Sequence, residues 1–116
     1  MMETEIQKAY RLKREATILQ NEQIHFLDFI TFKTFNQKQK AIDMFVEAGK
    51  IFRKFKHAES AAESYFFIGD IAHMDLRNYS LAIKYYTLAG CCYVDVDADR
   101  SLESYRKALA LCIDSV

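Results

Sequence analysis

The sequence predicts an all-α fold, built as a right-handed solenoid of helical hairpins. Its composition is the first reason, since the 116 residues include no proline and only three glycines. An antiparallel β-sandwich needs a turn about every 8 to 12 residues and more turn-forming residues than this. With 51% hydrophobic residues and a formal net charge of zero, the chain is also unlike a disordered segment. This length fits a single domain, 1–116.

An internal repeat is the second reason, with copies that begin at residues 41, 61, 82 and 101. In the two best copies, AIDMFVEAG at 41–49 and AIKYYTLAG at 82–90, Ala, Ile, an aromatic residue, Ala and Gly recur at offsets 0, 1, 4, 7 and 8. The other two copies keep the aromatic residue at offset 4. Side chains three and four apart share one face of a helix, so each copy predicts an amphipathic helix. Two copies make a hairpin of about 40 residues, which must stack on its neighbours to bury its apolar face.

Five helices follow from this pattern, with a further segment of different character between the first two. The first helix comes from an apolar stripe (Ile6, Ala9, Leu12, Ala16, Leu19), and the others come from the repeat. Their predicted ranges are 4–22, 37–54, 58–74, 79–94 and 98–113, with a Phe-rich loop at 23–36 and antiparallel repeats over 37–116. Asn36, together with Gln39, is expected to cap the second helix, and Asn78 and Asp97 the fourth and fifth.

The three glycines, Gly49, Gly69 and Gly90, all occupy offset 8 of the repeat. A glycine inside a helix costs up to about 1 kcal/mol relative to alanine. That cost is reasonable where the missing side chain lets a neighbouring helix approach closely. We therefore expect each glycine to mark a close contact between helices.

The Phe-rich loop contains four of the nine phenylalanines within ten residues, 26–35. It is too short and too interrupted by charge to span a bilayer, which needs about 20 apolar residues. One interpretation is an apolar loop that inserts into a membrane interface, helped by the lysines that follow it. The other is a linker packed on the protein core, in which case Phe26 and Phe29 would be shielded from solvent.

Charge and motifs exclude several classes of function. With a pI near 6.8, the chain has no overall positive charge that would attract nucleic acid, although 33–56 contains seven basic and two acidic residues. A calcium loop starting at Asp95 fails because Arg100 and Arg106 occupy the required glycine and glutamate positions. No paired CxxC or phosphate-binding loop is present. We therefore expect no enzyme, no catalytic residue, no metal site, no cofactor and no small-molecule substrate.

The N-terminus is charged and unlike a signal peptide. Together with the three cysteines, this indicates that the protein is located in the reducing cytosol.

Taken in order, these features resemble the N-terminal half of the alpha-SNAP (soluble NSF attachment protein) family. The resemblance lies in KAIDMFVEAGKIFRKFK at 40–56, AIKYYTLAGCCY at 82–93 and DADRSLESYRKALAL at 97–111. It covers nearly all of this chain but less than half of a typical family member. The chain is therefore expected to be the N-terminal portion of a longer solenoid. A tetratricopeptide array is similar in build, but its 34-residue period and its proline are missing.

The resemblance implies an adaptor that binds SNARE complexes and the membrane surface in vesicle fusion and SNARE recycling, and helps an NSF-type ATPase to disassemble them. Its location would be cytoplasmic and peripheral on membranes. In the family, recruitment of the ATPase resides in a C-terminal part that this chain does not include. The implied membrane-contact residues are Phe26, Leu27, Phe29, Ile30 and Phe32, and the implied SNARE-binding residues are Arg53, Lys54 and Lys56.

Two departures from the family pattern accompany the resemblance. Asp28 follows Leu27 where the family has paired phenylalanines, and Val94 and Asp95 stand where the family tends to have lysines. The alternative function is a generic helical-repeat scaffold for protein–protein interaction, which binds a helix or a peptide in its groove.

Overall fold

The computed structural model describes residues 2–21 and 32–114, and all regular structure in these residues is helical. The elements are α1 (Glu5–Asn21), α2 (Phe32–Lys54), α3 (Ala58–Asp70), α4 (Tyr79–Tyr93) and α5 (Ala98–Asp114). A π-helical turn, Ile71–Asp75, continues α3. The predicted all-α class and the five predicted helices are confirmed for this part of the chain.

The helices form two layers. Connections of three or four residues make α2 to α5 successive neighbours, and each helix packs chiefly on the next. Side-chain contacts place α1, α3 and α5 on one side, through Lys13 with Glu63 and through Lys107 with Phe66. Helices α2 and α4 lie on the other side. The molecule measures 43 × 40 × 17 Å, and its smallest dimension is that of two stacked helices.

The core lies between the layers and contains the residues that the repeat predicts. The aromatic residues at offset 4 of the first three copies are at most 3% exposed, and so are the residues at offset 11. These residues are Phe45, Tyr65 and Tyr86 at offset 4, and Phe52, Ala72 and Tyr93 at offset 11. The fourth copy differs, because Tyr105 is 37% exposed and Cys112 is exposed as well.

Each glycine receives the aromatic ring of the following helix. A Cβ atom added at Gly49 would lie 2.7 Å from the ring of Tyr65. At Gly69 it would lie 2.6 Å from the ring of Tyr86, and at Gly90 it would lie 2.8 Å from the ring of Tyr105. These separations are shorter than van der Waals contact, so a side chain at offset 8 would displace the ring. The predicted close approach at the glycines is confirmed, and each tyrosine stands at offset 4 of the next copy.

Two of the three predicted helix caps are confirmed. Asn78 Oδ1 accepts a hydrogen bond from the Leu81 N–H at 3.1 Å, and Asp97 Oδ1 accepts one from the Arg100 N–H at 3.1 Å. These carboxamide and carboxylate oxygens satisfy N–H groups that the first turn of a helix leaves without a partner.

The predicted start of the second helix is wrong. Helix α2 begins at Phe32, so Asn36 lies inside it and caps nothing, and 32–36 of the predicted loop is helical. The nearly buried Lys38 gives a physical reason. Its ammonium donates to the carbonyl of Gln20 at the end of α1 and lies 3.9 Å from Asp75 of the π-helical turn. These contacts hold the first turns of α2 against the rest of the fold.

Candidate partner-binding surface

A basic patch lies at the C-terminal end of α2. We define it as Lys50, Arg53 and Lys54, which together with Tyr65 of α3 line an open, mostly polar depression of about 370 Å³. The three cations share one face because they stand three and four residues apart on the helix. Arg53 and Lys54 stand in the last turn, where their positive charge lies near the negative end of the α2 macrodipole, which is favourable.

Tyr65 lies beside Arg53 in this depression. The pKa of Arg53 is raised, chiefly by its interaction with the Tyr65 hydroxyl. Burial raises the pKa of Tyr65, whereas Arg53 acts in the opposite direction. Since the ring of Tyr65 rests on Gly49, the close contact that joins α2 to α3 also brings Tyr65 to the basic patch.

Lys54 is tied to the first helix. Its Nζ lies 2.8 Å from a carboxylate oxygen of Glu5 and 5.5 Å from the centroid of the Phe55 ring. Both partners of the ion pair are more than half exposed, so the pair itself contributes little to stability. Glu5 therefore compensates part of the charge of Lys54 without burying it.

Lys56 lies on the connection between α2 and α3, in a left-handed backbone conformation with φ of 61°. The His57 N–H donates to the Phe52 carbonyl at 2.8 Å, and the Lys56 N–H donates to the Arg53 carbonyl at 3.1 Å. This pair of bonds is the Schellman motif, whose left-handed position is usually glycine. Lys56 is exposed, and the motif directs the chain sharply from α2 into α3.

The structure brings together two of the three residues predicted from the sequence. Arg53 and Lys54 lie in the basic patch, whereas Lys56 lies two residues beyond it on the connection. The sequence analysis did not place Lys50 or Tyr65 in the site. The spacing of Lys50 from Arg53 and Lys54 could have identified the lysine, but Tyr65 reaches the patch only through the contact between helices.

The predicted membrane-contact residues Phe26, Leu27, Phe29 and Ile30 lie outside the described residues, and so does the side chain of Phe32. Across 2–21 and 32–114, no helix has the length and apolar character needed to cross a membrane.

The side chains of Asp70 and His73 have contacts within the fold. Asp70 accepts a hydrogen bond from the Tyr86 hydroxyl at 2.6 Å and lies 3.9 Å from the Lys107 ammonium. Burial raises the pKa of Asp70, and the Tyr86 hydrogen bond acts in the opposite direction. The ring of His73 lies near the ring of Tyr79. In the described part of the chain, no three His, Cys, Asp or Glu side chains are grouped so that they could hold a metal ion.

Comparison with known proteins gives one finding. The family model described as "Soluble NSF attachment protein, SNAP" matches residues 7–115. No curated protein and no solved structure matches the chain. The family match covers α1 to α5 and the segment between α1 and α2. The chain therefore belongs to the soluble NSF attachment protein family.

Proposed function

We propose that this chain is an adaptor that binds SNARE bundles through the basic patch and Lys56. Family membership gives the chain a SNARE- and NSF-related adaptor role in general terms, in a family that is not enzymatic. The more specific proposal is that Arg53, Lys54 and Lys56 contact the bundle, and that the bound complex is disassembled by an NSF-type ATPase in vesicle transport.

The basic patch is the observation that supports this proposal most directly. Lys50, Arg53 and Lys54 project from the C-terminal part of one helix, and Tyr65 lines the same depression. A bundle of helices with an acidic surface is complementary to such a patch, because opposite potentials accelerate encounter and fix orientation. Lys56 extends the positive surface onto the adjacent connection.

The membrane part of the proposal concerns Phe26, Leu27, Phe29, Ile30 and Phe32. Apolar side chains of this number bind a lipid interface weakly and reversibly, and nearby lysines strengthen binding to anionic lipid. The location that follows is cytoplasmic and peripheral on membranes. Liposome co-sedimentation tests this part with Phe26→Ser/Phe29→Ser, which should bind less than the wild type. Leu109→Ser, at an exposed apolar position on α5, is the matched control.

The SNARE part can be tested with a variant that removes charge without weakening the fold. Lys56→Gly removes the lysine side chain, and glycine suits the left-handed backbone at this position. We expect the affinity for an assembled SNARE bundle to fall about threefold for Lys56→Gly and about fivefold for Arg53→Gln at low salt. Biolayer interferometry at two salt concentrations measures both losses, which should shrink as salt increases.

Arg106→Gln is the control, because it removes one exposed cation from α5, away from the basic patch. It should bind the bundle as the wild type does. If all three variants bind equally, the assignment of the basic patch is wrong. Loss of affinity in Arg106→Gln alone would instead favour the second candidate, a general interaction scaffold that binds through another surface.

A further inference from the structure

A groove lies between α3 and α5, in the layer opposite the helix that carries the basic patch. Both helices pack on α4, and the space between them has a volume of about 320 Å³. We call it the α3–α5 groove. Its lining residues are Glu63, Phe66 and Phe67 of α3, Tyr93 at the end of α4, and Arg100 and Glu103 of α5.

Two carboxylates line the groove, and one of them has no ion-pair partner among the described residues. Lys13 lies 3.3 Å from Glu63, and Lys107 lies 3.9 Å from Asp70. Arg100 likewise has an acidic partner, Asp97, at 3.4 Å. Within the part of the chain that the structure describes, Glu103 has no cation within ion-pairing distance. The negative charge of Glu103 adds to the effect of burial in raising the pKa of Asp70.

The aromatic rings of this layer already hold cations. Lys107 Nζ lies 5.2 Å from the centroid of Phe66 and 5.6 Å from that of Tyr86. Arg100 lies 5.9 Å from the centroid of Tyr93. Cations within about 6 Å of a ring face are attracted by its quadrupole. Phe66 and Tyr93 therefore already have cations of this chain beside them. Phe67 supplies a partly buried apolar ring to the same groove as Glu103, which has no ion-pair partner among the described residues.

The size of the groove limits its occupant. A volume of about 320 Å³ is near the lower end of ligand-binding pockets and accommodates one long side chain rather than a whole helix. Arginine and lysine have apolar stems with a charged end, so their stems can cover apolar rings while the charge remains at the rim.

We propose that the α3–α5 groove is a second docking surface, which binds an arginine or lysine side chain from a linear segment of a partner protein. The stem packs on Phe67, and the charged group pairs with Glu103. This surface is independent of the basic patch, because it lies in the other layer and selects the opposite charge.

The proposal can be tested by NMR titration of the whole chain with two tripeptides. One is acetyl-Leu-Arg-Leu-amide, and the other carries citrulline, which has the shape of arginine without its charge. We expect the arginine peptide to shift the amide resonances of α3 and α5 and to bind about three- to fivefold more tightly than the citrulline peptide. This ratio corresponds to an ion pair at a partly exposed site.

Two variants complete the test. Glu103→Gln should bind both peptides equally, since the charge that distinguishes them is gone. Asp95→Asn removes one negative charge from the connection between α4 and α5 and should keep the preference for arginine. Equal binding of the two peptides to the wild type, shifts outside the groove, or no shifts at millimolar peptide would each overturn the proposal.

Discussion

The connections from α2 to α3 and from α4 to α5 occupy equivalent places in the repeat, yet they share packing and differ in charge. Each follows a helix whose offset-8 glycine, Gly49 or Gly90, receives a tyrosine ring from the next helix. The first connection is flanked by Lys54 and contains Lys56, whereas the second reads VDVD over 94–97. The repeat therefore preserves the contacts that the fold needs, while the exposed charge of each connection is free to change.

The two tyrosines of these contacts also differ in burial. Tyr65 is 3% exposed and lies beside Arg53, whereas Tyr105 is 37% exposed and donates to the Cys91 sulfur at 3.1 Å. A buried ring has neighbours on every side, and a partly exposed ring can move toward solvent. The two glycines should therefore tolerate a side chain unequally.

The largest expected effect is on stability, when the two glycines that pack on tyrosine rings are replaced by alanine. Gly49→Ala places a Cβ atom 2.7 Å from a ring that cannot move, and overpacking of this kind costs about 1–3 kcal/mol. Alanine recovers up to about 1 kcal/mol of helix propensity. We expect a net loss of about 1 kcal/mol in the free energy of unfolding for Gly49→Ala. For Gly90→Ala, where Tyr105 can shift, the change should be near zero.

Urea denaturation followed by circular dichroism measures both changes. Equal destabilisation by the two alanines would show that the exposure of Tyr105 gives it no freedom to move. A stabilising Gly49→Ala would contradict the assigned role of this glycine in close packing.

An intermediate effect, on affinity, is expected when the second connection is given a positive charge like that of the first. Asp95→Lys gives the second connection a cation and removes a carboxylate, so an acidic partner that binds the basic patch should also be attracted here. We expect about a threefold gain in affinity for the SNARE bundle at low salt. Asp95→Asn should give a smaller gain, since it only removes the negative charge. An unchanged or weaker affinity for Asp95→Lys would mean that the bundle does not reach this connection.

The smallest effect concerns the backbone of the two connections. Lys56 has φ of 61°, a conformation that costs a non-glycine residue about 1–2 kcal/mol, and this cost exceeds the extra flexibility that glycine gives the unfolded chain. Lys56→Gly should raise the free energy of unfolding by about 0.5 kcal/mol. Asp95→Gly should lower it by a similar amount, because Asp95 does not have a positive φ. Thermal unfolding of both variants checks the opposite signs.

Several features of the fold could be predicted from local sequence alone. The apolar face at offsets 0, 4, 7, 8 and 11 predicts a buried helix face, and Ala41, Phe45, Ala48 and Phe52 lie in the core. Gly49 was predicted to mark a close contact because its place in the repeat is shared with Gly69 and Gly90. These predictions succeed because the period of a helix determines which side chains share a face.

The candidate site was only partly predictable. Arg53 and Lys54 are adjacent in sequence on one helix, so their shared surface follows from helix geometry. Tyr65 joins them only because α3 packs on Gly49, and Glu5 reaches Lys54 only because α1 packs on α2. No pattern within α2 contains this information.

What the sequence by itself determined is the helical repeat, its buried face and the register of its glycines, all of which follow from the spacing of residues along the chain. The tertiary structure decided where α2 begins, since Lys38 bonds to the end of α1 and to the π-helical turn. It also decided which tyrosine ring is buried, and which carboxylate of the α3–α5 groove has no ion-pair partner among the described residues. These features depend on contacts between helices that are distant in sequence, and local periodicity does not encode such contacts.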